Sequence, residues 1–400
     1  MRAAIAARTI RPIMRTLRIA SGGTGDLITA ISLDQRIIGG ALGNAYASAV
    51  WERSTLDPFP GPRPRNAVRG LRPVGRLGQF TERTRIPGGL TQLPQLAASV
   101  EPPIWYLDLA DGVQGLREQL QAIMDSGGYE CVDLVDTGGD ILARGDEAGL
   151  ISPTMDAALL AAVADQDFTA TVTVLGLGVD GELSLDHLGS IVRDLEPSGR
   201  LRISAGLAAQ VYRDYCWVHS ESSLLALLGA IGIIGRIDIR PGSELVCVDR
   251  RCGTAWTFDA NHVYQRNLVA RAVRNSTSFA ALDNSIKMLG LTSEFGHEVA
   301  AARRATAPEG RPKLSEDFLG SILPSATHVS VRRLAKGFRL TGASDLDRLH
   351  RVVAGQLGDD YRRPAIPVDL LPAVIQEFQS RAEIQAPPTG SQYDLKAMGF

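Results

Sequence analysis

Three times in the first half of the chain an apolar or β-branched run stops at a turn of glycine and acid, and an apolar helical pattern follows. The first such unit is Thr16-Leu-Arg-Ile-Ala-Ser-Gly-Gly-Thr-Gly-Asp26, which runs directly into Leu27, Ile28 and Ile31. In the second, the run 131–135 ends in Asp136-Thr-Gly-Gly-Asp140-Ile-Leu-Ala-Arg144-Gly-Asp146-Glu147. The third run, 169–175, ends in Gly176-Leu-Gly-Val-Asp180-Gly-Glu182. Strands that alternate with helices predict an α/β fold with a mainly parallel, Rossmann-like layered sheet and helices on both faces. Ligands of such sheets bind outside the carboxyl ends of the strands, and all three turns fall at such ends.

In the first turn, Gly22, Gly23, Thr24 and Gly25 allow backbone N–H groups at a helix N-terminus to face an anion. Asp26 reads either as a site carboxylate or as a cap accepting from the first N–H groups of the helix. The spacing Gly-Gly-x-Gly matches neither the dinucleotide fingerprint nor the phosphate loop. The second turn gathers four carboxylates, Asp136, Asp140, Asp146 and Glu147, around Gly138 and Gly139. Carboxylates brought close must be solvated, paired with arginine or bound to metal, because like charges raise one another's pKa. Magnesium or manganese suits such hard oxygen ligands, and a shared proton for acid–base work is the other functional reading. A simple Asx turn, with Arg144 pairing with Asp146 or Glu147, is the structural alternative. Asp180 and Glu182 add two more carboxylates at the third turn. Ser276, Thr277 and Ser278 either cap the helix that follows or offer its N–H groups to a phosphate or carboxylate. The histidines at 187, 219, 262, 297, 328 and 350 show neither metal-site nor nucleophile spacing, and no Gly-x-Ser-x-Gly elbow is present.

The rest of the chain frames these turns. Four hundred residues, 44% of them hydrophobic, can bury a sizeable core, and a net charge of −2 gives no general attraction to nucleic acid or an anionic membrane. Four cysteines without a CxxC pair point to a reducing cytoplasm; Cys247 and Cys252 have no partner pair to complete a zinc site. Residues 1–15 form a basic leader with four arginines and no acid. The longest apolar run, 224–234, is a buried helix too short to span a bilayer. Residues 57–103 read as a long loop whose prolines and glycines oppose both helix and ladder. Its seven arginines make it either a lid that carries cations to an anionic ligand or a solvated surface loop. Short strands near 244–248 and 255–259 are close enough to pair as a hairpin. The composition assigns 16–300 to one α/β domain, 301–315 to a linker, and 316–400 to a small α+β appendage with a frayed tail.

Gly22-Gly-Thr-Gly-Asp26, Trp51-Glu52-Arg53, Asp57-Pro58, Gly61-Pro62-Arg63, Asp136-Thr-Gly-Gly-Asp140 and Arg144-Gly-Asp146-Glu147 occur in this order. Ser152-Pro153 with Asp156, and Gly176-x-Gly-x-Asp180-Gly-Glu182, complete the set. As a set these motifs resemble a widespread family of bacterial, archaeal and plant proteins catalogued as a domain of unknown function. The resemblance spans residues 16–300 and implies a single α/β domain, a small-molecule enzyme, with no substrate attached. It also brings Trp51, Glu52 and Arg53 into the set of site residues. Many relatives carry Gly-Gly-Thr-Asp in the central turn, where this chain has Thr137-Gly-Gly-Asp140.

Together these readings lead to an enzyme acting on an anionic or nucleotide-like small molecule. Gly22–Gly25 would cradle the anion, and Asp26, Glu52, Asp136 and Asp140 would serve as acid–base groups. Asp26, Asp136 and Asp140, or Asp136 and Asp140 with Asp146 and Glu147, are the candidates to hold magnesium or manganese. Trp51, Arg53, Gly138, Gly139, Asp180 and Glu182 would bind the ligand beside them. An NAD- or FAD-dependent reaction is the second reading; a non-catalytic sensor or partner-binding protein is the third. The oligomeric state stays open, a homo-oligomer included.

Overall fold

The structure, a computed structural model, describes residues 14–35, 44–57, 59, 61–305, 314, 316–340, 342–358 and 362–382. Most of the basic leader, positions 306–313 of the expected linker and the tail from 383 onward therefore lie outside the described residues.

Nine strands form the main sheet: β1 (Thr16–Ala20), β2 (Ala45–Ala49), β3 (Arg72–Val74), β4 (Leu77–Gln79), β5 (Ile104–Leu107), β6 (Cys131–Thr137), β7 (Thr169–Leu175), β8 (Gly199–Arg202) and β11 (Thr254–Asp259). Their order is β3-β4-β5-β2-β1-β6-β7-β11-β8. The five central strands are parallel throughout. Counted along the chain they lie in the order third, second, first, fourth, fifth, so the winding reverses between β1 and β6. That reversal opens a crevice at the carboxyl edge between the glycine turn after β1 and the acidic turn after β6.

Helices cover both faces of the sheet. On one face lie α3 (Gly112–Gly127), α4 (Pro153–Val163), α5 (Leu185–Leu195), α8 (Ala260–Arg266), α9 (Leu268–Val273) and α10 (Phe279–Met288), in one hydrophobic cluster with Leu17 and Ile19 of β1. The other face carries α1 (Thr24–Gln35), α2 (Leu93–Ser99), α6 (Ala205–Tyr215) and α7 (Glu221–Ile231). Every residue of α4 is buried, which explains a helix that is apolar all round except for Thr154 and Asp156. A guanidinium locks α1 to the sheet: Arg18 bonds Asp34 at the end of that helix (2.5 Å) and Asp133 of β6.

A second sheet has the order β10-β9-β12-β13, from β9 (Gly235–Asp238), β10 (Val246–Val248), β12 (His328–Ser330) and β13 (Ala365–Pro367). β12 runs parallel to β9, with His328 beside Ile237, so C-terminal strands extend a sheet begun about ninety residues earlier. Around it pack α12 (Glu316–Gly320), α13 (Val331–Gly337), α14 (Ala343–Leu357) and α15 (Leu371–Ala382), with a core of their own that includes Leu334, Leu349, Ile366 and Phe378. The helix α11 (Glu294–Ala305) occupies the first positions assigned to a linker.

Two expectations are corrected. The strands near 244–248 and 255–259 do not pair with each other: β10 joins β9, while β11 inserts antiparallel between β7 and β8. A short 3-10 turn, Arg250–Gly253, capped by the Asp249 carboxylate, redirects the chain between them. Nor is 57–103 without regular structure, because its prolines sit where the ladder tolerates them. Pro73 lies in the edge strand β3, and Pro94 lies in the first turn of α2. Phe80 N–H donates to the Ile104 carbonyl at 2.8 Å, tying this segment to β5.

Candidate functional site

The three turns meet at a cavity of about 140 Å³ at the carboxyl edge of the sheet. Gly22, Thr24, Gly25 and Asp26 approach from β1, Asp136, Thr137 and Asp140 from β6, and Asp180 and Glu182 from β7. Trp51, Glu52 and Arg53 follow β2 into the same space. The arrangement depends on two glycines. A Cβ on Gly25 would stand 2.4 Å from the Ser220 hydroxyl of the turn before α7. Gly138 has φ +125°, and a Cβ there would stand 2.2 Å from the Asp180 carboxylate. Bare backbone at 138 is what lets the second and third acidic turns close on each other.

The first turn is not arranged as expected. Gly22 N–H donates to the Asp26 carboxylate at 2.6 Å, so the turn holds its own anion. Asp26 is not an N-cap, since it is the third residue of α1 and reaches back across the turn. Burial pushes its carboxyl up to about 6, against the downward pull of Thr137, the Gly22 N–H and Arg53. Glu52 touches the cavity, but its carboxylate is fully engaged. It accepts from Thr24 (2.8 Å) and Thr91 (3.0 Å) hydroxyls, Gln92 N–H (3.0 Å) and the Gln92 side chain (3.3 Å). Its place is that of a strut between the glycine turn and the segment before α2.

At the second and third turns the carboxylates are crowded and short of cations. Burial, then Asp26, Asp156 and Asp180, hold Asp136 well above the usual carboxylate range, although Gly139 N–H donates to it at 2.8 Å. Burial and the charges of Asp156, Asp136 and Glu182 do the same to Asp140, which accepts from the Ser152 hydroxyl at 3.3 Å. Asp180 is pushed up to about 7 by burial and by Glu182. Burial also raises the Glu182 carboxyl, but Arg240, the Ser152 hydroxyl (2.6 Å), Ile151 N–H (2.6 Å) and Arg53 hold it below its ordinary value. Glu182 thereby pins the two residues that lead into α4, whose N-cap Ser152 makes no side-chain cap of its own.

Several residues that reading the sequence left out of the site belong to it. Asp156 of α4 does not line the cavity but is 2% exposed and acts on Asp136 and Asp140, which do. Burial and Asp26 push it up to about 8. A single acid in an otherwise apolar helix was the available signal. Glu294 and Glu298, one turn apart on α11, hold Arg53 and the Trp51 indole: Arg53 pairs with Glu294, and Trp51 Nε1 donates to Glu298 at 2.8 Å. The far wall comes from the C-terminal segment, with Val331, Arg332, Leu346, His350 and Pro364. Arg332 pairs with Glu221 at 3.0 Å. His219 stacks 5.3 Å from His350 and lies 2.6 Å from Arg362. Burial and Arg362 drive its pKa down to about 4, so the ring is neutral.

Other expected residues lie elsewhere. Ser278 caps α10, accepting from Ala281 N–H at 3.1 Å, and Ser276 accepts from Val113 N–H at 3.1 Å. Ser276, Thr277 and Ser278 take no part in lining the cavity. Asp146 is exposed and pairs with Arg144 at 3.0 Å, while Glu147 accepts from Arg144 and Gly145 N–H. That is the local turn chemistry, away from the cavity. None of the seven arginines of 57–103 reaches the cavity wall either; Arg63 pairs with Asp57 at 2.5 Å. Among the described residues no group of three or more His, Cys, Asp or Glu side chains has the geometry to hold a metal ion, and no helix is long and apolar enough to cross a membrane.

Residues 17–302 match the model of a family described as a protein of unknown function, DUF1152. No curated protein and no solved structure matches the chain.

Proposed function

The chain belongs to the DUF1152 family, and we propose that this member is a small-molecule enzyme whose coupled aspartates perform acid–base chemistry. One observation carries the reading: Asp136, Asp140 and Asp180 line a single cavity at the winding reversal of a Rossmann-like sheet, each raised by burial and by neighbouring carboxylates. Carboxyls crowded in this way share protons, so that near neutral pH one donates while its neighbour accepts. Asp26, with a lower pKa of about 6, is the natural base of the set, and Asp180, at about 7, the natural acid. The anion cradle expected at the glycine turn is dropped from this reading, because Asp26 already takes the Gly22 N–H. A cytoplasmic location fits the four free cysteines.

A nicotinamide or flavin cofactor has the strand order in its favour. Absorbance of the purified protein between the near ultraviolet and the visible tests it directly.

The acid–base reading is tested by a thermal-shift screen of nucleotides, sugar phosphates, amino acids and amines, with and without magnesium or manganese. Wild type is compared with the double variant Asp136→Asn/Asp140→Asn. A stabilising ligand in wild type, lost in the double variant and converted to product by wild type alone, is the expected result. Ligand binding and turnover that survive the double substitution would refute it.

A further inference from the structure

Resting on the reading of the cavity as a substrate site, we propose that the substrate carries a protonated amine. Its ammonium sits against Asp180 and Asp136 on the cavity floor, and its apolar part lies under a roof built by the C-terminal segment.

The charges on the cavity wall are lopsided. Seven carboxylates line it, against the two guanidiniums of Arg53 and Arg332. Both guanidiniums are already committed, Arg53 to Glu294 and Arg332 to Glu221. Four of the seven acids are committed as well: Glu52 to Thr24, Thr91 and Gln92; Glu182 to Ser152 and Ile151; Glu221 to Arg332; and Asp26 to Gly22. Asp136, Asp140 and Asp180 remain, with no cation at ion-pair distance among the described residues.

The decisive atom is Asp180 Oδ2. Asp180 is 9% exposed and lines the cavity; its Oδ1 accepts from Glu182 N–H at 2.9 Å, while Oδ2 is buried with no hydrogen-bond partner. A buried acceptor left unpaired is costly, and a ligand that supplies a donor recovers that cost. An ammonium group brings three N–H donors and the missing positive charge at once. An anion would face these carboxylates without a free cation. A divalent ion would need several ligands converging at short range, an arrangement absent among the described residues.

The lining also has an apolar part. Val331, Leu346 and Pro364, from the segment beyond the family-matched residues, join Val218, just before α7, and Leu224 of α7 in the cavity wall. An aliphatic chain attached to the ammonium would be desolvated there. The C-terminal segment thus sets which amine fits, while the family-matched part supplies the chemistry.

The full-length protein would be titrated calorimetrically and melted near neutral pH with methylamine, butylamine and 1,4-diaminobutane. Butanol, butyrate, inorganic phosphate and the chlorides of magnesium and manganese serve as comparisons at matched ionic strength. Butylamine is expected to stabilise the protein and to bind more tightly than methylamine, butanol or butyrate. Asp180→Asn keeps an acceptor for the Glu182 N–H and should weaken butylamine roughly tenfold or more. Leu346→Ala should erase the advantage of butylamine over methylamine. Tighter binding of butyrate or phosphate, lost in Asp136→Asn, would overturn the amine while leaving the site reading standing. Asp180-dependent binding of magnesium or manganese alone would overturn it in favour of a metal site. Silence with every amine overturns the proposal, and amine binding indifferent to Asp136 and Asp180 overturns the site reading as well.

Discussion

Asp156 offers the most direct measurement of how the carboxylate cluster bears on stability. It is 2% exposed and is pushed up to about 8 from an ordinary 3.8 by burial and by Asp26, against the downward pull of the Ser21 hydroxyl and Arg53. Between those two values the folded chain holds a proton that the unfolded chain has released. Stability therefore falls as pH rises through this window and levels off above about 8. At about 1.4 kcal/mol for each tenfold change in proton activity, the ceiling on this penalty is roughly 6 kcal/mol. Water and neighbouring side chains relax around a buried charge, and about 2 kcal/mol of it is expected to be measurable. Asp156→Asn keeps the shape and removes the titration. Urea unfolding of both proteins at mildly acidic and mildly alkaline pH reads the effect. The comparison must be between proteins, because buried His219 and His350, with lowered pKa, stabilise the fold as pH rises towards 6.5. That opposite slope is common to both proteins and cancels in the difference. The variant should gain on wild type as pH rises. A difference independent of pH, or a variant that loses ground at alkaline pH, would mean that Asp156 is ionised in the folded protein and would sink the argument.

Two further outcomes follow from single contacts, one in the C-terminal segment and one in the main domain. Arg333→Met would strand Asp238, its partner across an ion pair whose side chains are 2% and 0% exposed, at a cost of about 3–5 kcal/mol. Limited proteolysis should then cut the C-terminal segment ahead of the main sheet, and unchanged resistance would contradict the anchoring role. Ser278→Ala should cost about 1 kcal/mol in urea unfolding through loss of the α10 cap. It should leave every ligand-induced melting shift unaltered, whereas a lost shift would restore Ser278 to the site.

What could be read from the sequence was local. An apolar run, a glycine turn and an apolar helix fix β1, the Gly22–Gly25 turn and α1 within a few residues, and the same holds for β6 and β7. Partnership across long separations could not be read. Nothing near Trp51 and Arg53 announces that Glu294 and Glu298 hold them, although two glutamates one turn apart on α11 share a helix face. Asp156 was hidden by its setting, since a carboxylate inside an apolar helix looks like an interruption until Asp26 and Glu182 are found near it. Glu52 misled in the opposite direction: its position in the cavity matched a catalytic role, but four donors from Thr24, Thr91 and Gln92 claim its oxygens. The pairing of β11 with β7 and β8 depends on a turn, Arg250–Gly253, too short to stand out among polar residues.

The parallel pairing of β12 with β9 gives the molecule a history as well as a shape. His328 must meet Ile237 across a separation of about ninety residues, and β13 joins only after that. During synthesis the main sheet and its three turns can assemble while the C-terminal strands are still unmade. Until they arrive, one edge of β9 has no neighbour and the aspartates face open water, where their charges are well solvated. Closing the last strands removes that water from carboxyls the main sheet has already gathered. The burial that holds their protons on is therefore completed by the last part of the chain to be made.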